Sequence, residues 1–569
     1  MVAHGWSLTT CTAWWPSRKH DARLRLGPLK LRWWGWGEDA GAIALPEAAT
    51  TLVRGELGLD GSERCARVGI EEVTLPDPGL TAPAREALED VLGAQALLED
   101  REARVTHAVG KSFADLVQIR SGDGSSAPDA VARPESAEQV AAVLDICGEH
   151  GIAVIPFGGG TSVVGGVAAL RGPHPAAISL DLGRMDRVVD LDRGSLTATF
   201  EPGLLGPELE RLLGRAGLTL GHFPQSFEFS TVGGWVATRS AGQASTGYGR
   251  IDEVVEAVRC LTPVGELATR DVPASAAGPS LQELVVGSEG TLGVITAATL
   301  RVRPLPQARH YEAWSFRSFE EGVEAHRMME QAGASPDVAR LSDEHESRVA
   351  KALAANGGAV VRLGGSYLRM RGHEEGCIAI AGFEGSAEEV ARRRGRAAGL
   401  LRAGGGVALG RRPARSWLKT RFSTPYARDE LLDRGVMVET LETATTWSRL
   451  HRLHTAVGVA LREALTERGT PPLVMCHVSH LYRSGASLYF TFFARQEEAG
   501  GLDGWWAAKT AACDAIVSNG GTLTHHHGVG RDHAPWMEDE VGQIGLDVLR
   551  AAKDELDPDW IMNPGKLLG

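Results

Sequence analysis

Three consecutive glycines, Gly158-Gly159-Gly160, stand directly after the apolar run Ala153-Val154-Ile155-Pro156, inside the segment Pro156-Phe157-Gly158-Gly159-Gly160-Thr161-Ser162. A short apolar run bounded by such residues reads as a strand. A strand that empties into residues without Cβ atoms can turn sharply and let its amides approach a ligand. Such a loop cradles a pyrophosphate as readily as it merely reverses the chain, so alone it decides nothing. It is not a Walker loop, because no Gly-Lys-Ser/Thr follows, and its spacing is not the G-x-G-x-x-G of a Rossmann unit.

Two later segments strengthen the case. Gln225-Ser226-Phe227-Glu228-Phe229-Ser230-Thr231 leads into a paired glycine and then Thr238-Arg239-Ser240-Ala241, and Glu289-Gly290-Thr291-Leu292-Gly293-Val294 sits between further strand-like stretches. Both combine small residues with hydroxyl donors. Short strands are expected at 177–180, 196–200 and 293–296, helices at 84–92 and from 137, with Ser136 as N-cap, and a domain edge at Pro304 and Pro306. Beyond it, helical segments rich in Glu, Arg and Ala alternate with strands at 359–363 and 487–492, which predicts an α+β domain with an antiparallel sheet. A helix is expected from Val548 to Leu556.

Composition narrows the partners. The chain has 569 residues and a net charge of -13, which argues against nucleic acid as the main ligand. No stretch reaches the roughly 20 apolar residues a membrane span needs. Seven scattered cysteines without a C-x-x-C pair fit reduced thiols in a cytoplasm. Residues 1–30 lack the apolar h-region of a signal peptide.

Taken in order, the three glycine loops resemble the FAD-binding domain of the vanillyl-alcohol oxidase superfamily. The resemblance implies a PCMH-type fold of two α/β subdomains. It assigns Pro156 to Ser162, Gln225 to Thr231, Thr238 to Ala241 and Glu289 to Val294 to the flavin. Where many members carry a Gly-Gly-His that anchors FAD covalently, this chain reads Gly159-Gly160-Thr161, so the FAD is expected to be non-covalent. The expected division is 1–125 for an N-terminal extension and helical segment, 126–306 for the FAD domain, 307–535 for the substrate cap and 536–569 for a C-terminal helical segment returning to the FAD domain.

A second cluster of motifs lies outside that domain. His525-His526-His527 runs into Gly528-Val529-Gly530, well inside the chain and after the strand-like 521–524, a setting unlike that of a tag scar. If the run is extended, His525 and His527 face one way and His526 the other. A metal site including His477 and His480 is the minority reading beside a catalytic cavity.

Together with Trp34-Gly35-Trp36-Gly37, Glu228 to Arg239, Tyr426-Ala427-Arg428-Asp429 and Glu439 to Thr443, the histidine motif is similar to that of the alkyldihydroxyacetonephosphate synthase family. That resemblance implies a redox-neutral exchange of an acyl group for a long-chain alcohol, with the flavin as nucleophile. It makes Tyr482 the acid/base, Arg428 a substrate clamp and the three histidines catalytic, with no metal. A lipid-like substrate, a homodimer and a peripheral membrane contact through Trp33, Trp34 and Trp36 are the expected partners. The rival is an FAD-linked D-2-hydroxy-acid dehydrogenase. Ala274 stands where the family pattern is read as carrying an arginine, and this leaves the substrate open.

Overall fold

Strand Ile152–Phe157, the support of the triple-glycine loop, is buried over almost its whole length and pairs in parallel with Ala176–Asp181. In this computed structural model, which describes residues 31–41, 45–353, 367–497 and 501–568, that pair forms part of a four-stranded sheet completed by Leu97–Leu98 and Ala130–Ala132. Strands buried on both faces need no polar alternation, which is why 152–157 reads as a continuous apolar run. Helix Ala137–His150 covers one face with Val140, Val143, Leu144 and Cys147. Ser136 Oγ accepts from the Gln139 amide at its start, and Gly151 ends it at φ 62°. Helix Ala82–Leu92, from the N-terminal part of the chain, packs on this helix through Leu88 and Leu92.

A second, five-stranded antiparallel sheet runs in the order 188–192, 197–200, 294–301, 255–262, 265–268. The third glycine loop enters it through strand Val294–Arg301.

The remainder is built on a seven-stranded antiparallel sheet, in the order 407–410, 308–316, 377–385, 338–342, 473–482, 485–495, 436–446. Helices Phe319–Gln331, Ala387–Ala403, Trp447–Glu467 and Asp503–Ser518 cover one face, around a core that includes Phe316, Phe383, Phe490, Phe492 and Trp505. Strands Val436–Thr446, Leu473–Tyr482 and Gly485–Arg495 sit together at one edge.

The C-terminal tail crosses back to the first sheet. The Val154 amide donates to Ile561 O and the Asn563 amide to Val154 O. Lys553 Nζ donates to Thr291 O at 2.6 Å and Met562 O at 2.7 Å, tying the last helix to the third glycine loop.

Several elements differ from the sequence reading. The last helix is Met537–Leu556, longer than expected, with Gly542 at φ 73° inside it. Residues 521–524 form no strand; the reason lies in Glu442, below. The segment containing Ala274 is solvent-exposed from Asp271 to Leu281, so an arginine there would place its charge in water. Of the tryptophans considered for membrane contact, Trp36 is 4% exposed and meets Phe229 edge-on. Trp34 carries the Arg67 guanidinium 3.5 Å above its ring, and Trp33 packs beside Val73 and Val105. The expected strand at 359–363, Cys11 and residues 1–30 lie outside the described residues.

Candidate active site

Glu442, in the middle of strand Val436–Thr446, organises the histidine run. Its Oε2 accepts the His525 amide at 2.6 Å, and its Oε1 accepts the amides of His526 at 2.9 Å and His527 at 2.8 Å and the Thr524 hydroxyl at 2.7 Å. A strand cannot turn three successive amides toward one carboxylate, because alternate amides point apart. The run therefore bends around the acid instead of alternating. Burial pushes the Glu442 carboxyl up, and the imidazoles of His526, His527 and His525 more than reverse this, holding it well below the usual carboxylate range.

The bend delivers His525 to the end of strand Leu473–Tyr482. Tyr482 Oη lies 2.5 Å from His525 Nε2, and His525 Nδ1 lies 2.9 Å from His526 Nδ1. Burial keeps His525 well below its ordinary pKa, with His480 and His526 adding to the effect. A neutral His525 that accepts the phenol proton at Nε2 carries its own proton on Nδ1 and donates it toward His526. Burial also pushes the Tyr482 phenol up, against the pull of the Arg250 guanidinium. Arg250 Nη1 donates to His525 O at 3.0 Å and the same side chain pairs with Asp252.

His480 Nε2 lies 2.8 Å from Gly242 O, its Nδ1 is 3.2 Å from Ser487 Oγ, and burial holds it down to about 3. His480, His525 and His526 offer ring nitrogens within 4.8 Å of one another. His477 is not part of this group: it contacts Glu346 and Arg340.

Arg428 sits on helix Thr424–Leu432. Its Nη1 donates to Lys111 O at 2.6 Å, while Nε and Nη2 are buried with no hydrogen-bond acceptor, the Asp429 carboxylate standing 3.7 Å from Nη2. Asp429 Oδ2 accepts the Trp36 amide at 2.7 Å, and Lys111 Nζ donates to Arg32 O at 2.8 Å, so the tryptophan-rich segment docks beside this arginine.

The residues assigned to the flavin divide into two groups. Among the described residues the amides of Gly158, Gly159, Gly160, Thr161 and Ser162 have no acceptor in the protein. A Cβ on Gly159 would stand 1.8 Å from Phe229 O and one on Gly158 2.3 Å from Thr231 Oγ1, so the first two loops touch through these glycines. Five consecutive free amides in a turn fit the pyrophosphate of FAD. Pro156 and Phe157 support that turn from the strand end. Most side chains of the other two loops turn inward. Phe227 and Phe229 are buried, Gln225 Nε2 donates to Arg421 O and Thr238 Oγ1 to Gly234 O. Arg239, at φ 51°, donates to Val286 O. Ser230 Oγ accepts from Trp235 and Thr231 caps helix Val232–Ala237. Ser240 Oγ meets His222, Thr291 Oγ1 donates to Ser288 O, and Ala241, Leu292 and Val294 are buried.

Glu289 links this domain to the histidines. Its carboxylate accepts the amides of Val529 at 2.6 Å and Gly530 at 2.7 Å, and burial pushes it up to about 7. Sequence reasoning missed Glu442 as the centre of the histidine bend, and missed Arg250 and the bridging role of Glu289. Glu442 shares its strand with Glu439 and four threonines, so its residue type marked nothing, and its place in the Glu439 to Thr443 motif was the one signal for it.

Comparison with known proteins matches a family described as an FAD binding domain over residues 128–270 and one described as the C-terminal domain of FAD linked oxidases over residues 305–567. The alkyldihydroxyacetonephosphate synthases of Dictyostelium discoideum and Trypanosoma brucei brucei are each 33% identical, covering 95% of this chain and 93% and 92% of their own lengths. A solved structure of an alkyldihydroxyacetonephosphate synthase superposes with a TM-score of 0.82 at 30% identity, covering 94% of this chain and 98% of its own. A probable mitochondrial D-lactate dehydrogenase of Danio rerio is 26% identical over 82% of this chain.

Proposed function

The chain belongs to the alkyldihydroxyacetonephosphate synthase family, and from that premise we propose an FAD-dependent transferase that replaces the acyl group of an acyl-dihydroxyacetone phosphate with a long-chain alcohol. When bound, FAD supplies the nucleophilic centre of a reaction with no net change in oxidation state. The free amides of the first glycine loop would hold its pyrophosphate, and Thr161, where a covalently linking histidine stands in other flavoproteins, leaves the cofactor non-covalent.

The protein's own work is proton transfer and orientation. The observation that carries this reading is the 2.5 Å contact between Tyr482 Oη and His525 Nε2. A buried phenol pushed above its ordinary range is a poor base alone. Paired with a neutral imidazole, it takes a proton from the substrate carbon as it passes its own to His525 Nε2. The His525 cation so formed lies beside His526 and the Glu442 carboxylate, which stands 3.9 Å from His525 Nδ1. Glu442 thus fixes the geometry through three amides and supplies the compensating charge. Arg250 lowers the cost of transient phenolate character at Tyr482. The two free donors of Arg428 suit a bidentate grip on a phosphate.

No helix of the described residues is long and apolar enough to cross a membrane. In this reading the lipid substrate comes from a membrane surface or a carrier, with peripheral contact and a homodimer as the accompanying arrangement. The dehydrogenase reading draws on the more distant relatives. Anaerobic mixing with D-lactate distinguishes the two: the transferase leaves the flavin colour unchanged, whereas rapid bleaching would establish the dehydrogenase. Acid precipitation should leave FAD in the supernatant.

A further inference from the structure

From Val390 to Arg428 the chain contains eleven Arg or Lys and no Asp or Glu, although the whole carries a net charge of -13. Part of that run is used internally: Arg393 pairs with Asp337, Arg394 with Glu312, and Arg421 packs on the rings of Phe223 and Phe422. Helix Arg411–Thr420 keeps its charges outside. It follows the edge strand Val407–Gly410 of the seven-stranded sheet and packs on strand Ala308–Phe316. Ala414 is buried beside Tyr311 and Ala313, and Trp417 and Leu418 pack against the same cluster. At 3.6 residues per turn these three share one sector of the helix, while Arg411, Arg412, Arg415 and Lys419 share another, ~100° wide. All four are exposed. Among the described residues none of the four has a carboxylate within 4.0 Å or a hydrogen-bond acceptor.

The chemistry of this face selects its partner. A specific protein interface is built around an apolar centre, and among the described residues from 390 to 428 no large apolar side chain is exposed. Electrostatic attraction is therefore the means of binding. Four unpaired cations with no acid among them suit a surface that is anionic and laterally uniform, such as the headgroup layer of an acidic phospholipid membrane. The helix also leads into the site. Arg421 O accepts from Gln225 Nε2 at 2.7 Å, Phe422 stacks on Phe227 with ring centroids 5.6 Å apart, and helix Thr424–Leu432 with Arg428 follows. A protein resting on this face keeps the segment that reaches the flavin loops next to the lipid.

We propose that helix Arg411–Thr420 docks the protein electrostatically on an anionic phospholipid surface, from which the lipid substrate is drawn. The contact lies on this helix and not on Trp33, Trp34 and Trp36. The choice of a lipid partner rests on the function proposed above, whereas docking is measured without it. Each basic side chain at an anionic surface multiplies partitioning roughly 5-fold, so reversing three of the charges should weaken binding about 100-fold or more.

The test sediments the FAD-loaded full chain with vesicles of phosphatidylcholine alone or of phosphatidylcholine and phosphatidylglycerol in equal parts. Wild type should bind the mixed vesicles at least ~10-fold more tightly and lose this preference as added salt screens the charges. Arg411→Glu, Arg412→Glu and Arg415→Glu together should abolish the preference, and Arg411→Lys, Arg412→Lys and Arg415→Lys together should keep it. Both triple variants should retain wild-type exchange on substrate dispersed in neutral detergent. Equal wild-type affinity for the two vesicles overturns the docking face, and this holds even if the glutamate variant fails to fold. Unchanged binding in a folded glutamate variant does the same, as does tight binding of an oligonucleotide without binding of vesicles. If wild type docks through this helix but exchanges no acyl chain, the docking face stands and the proposed reaction falls. If exchange proceeds in detergent and no vesicle is bound, the docking face falls alone.

Discussion

Replacing Glu442 by glutamine is the most informative single change, because it keeps the side-chain shape and removes the charge around which three histidines bend. In the wild type Oε1 accepts from Thr524, His526 and His527, and Oε2 from His525. A glutamine whose carbonyl takes the Oε1 position keeps three donors as neutral bonds. Its amide nitrogen then meets the His525 amide donor to donor. Hydrogen bonds to a charged acceptor are worth ~1.5–3 kcal/mol and an unsatisfied buried donor costs ~1–3 kcal/mol, so the variant should lose about 2–4 kcal/mol of stability. Freed of its amide anchor, His525 no longer holds Tyr482, and exchange activity should fall ~10²–10⁴-fold, the span of a lost general acid/base. The acid limb adds a second readout. The folded-state pKa of Glu442 is depressed, so its contribution is fully present above the ordinary carboxylate range. It is lost as pH falls below ~4 toward the folded value. Chemical denaturation at pH 7 and pH 3, with steady-state exchange assays at pH 7 on the same preparations, measures both. Wild-type activity in Glu442→Gln, or a stability difference between the two proteins that does not shrink on acidification, would refute the reasoning.

Other changes separate the parts of the site. Tyr482→Phe should bind FAD normally and lose ~10²–10⁴-fold in exchange rate, read by absorbance and product assay. Gly159→Ala places a methyl 1.8 Å from Phe229 O, so the first two loops must part; the purified protein should carry less than half the wild-type FAD and melt several degrees lower. Glu289→Gln acts on pH dependence with the opposite sign to Glu442. Its folded pKa of about 7 exceeds the unfolded value, so wild-type stability includes a loss as pH rises from ~4.5 to ~7. The wild-type minus variant difference in stability should therefore decrease over that window and flatten above it.

The sequence displayed the supports of the site better than its centre. Strands 152–157 and 176–181 are apolar on both faces and need no distant partner to be read, and Ser136 and Gly151 mark their helix locally. The histidine motif was visible, and so were Tyr482 and Arg428 through the family pattern. The shape of the histidine run was not. Alternation is a property of a chain held in a ladder, and residues 521–524 meet the neighbouring strand Val436–Thr446 through the Thr522 amide on Ala444 O without forming one; a carboxylate 83 residues away in sequence bends the run instead. Arg250 pairs with Asp252 at close range, so nothing local marks its reach to His525. What escaped the sequence is thus long-range polar geometry, in which identity and spacing say little about partners.

The central claim is that this site moves a proton during an exchange that consumes no oxidant. It is tested most directly by incubating FAD-loaded protein anaerobically, without electron acceptor, with an acyl-dihydroxyacetone phosphate and a labelled long-chain alcohol. Label should enter an alkyl product with one fatty acid released per alkyl group formed, at the same rate as in air. No alkyl product, or product formed only when oxygen or another acceptor is added, would contradict it.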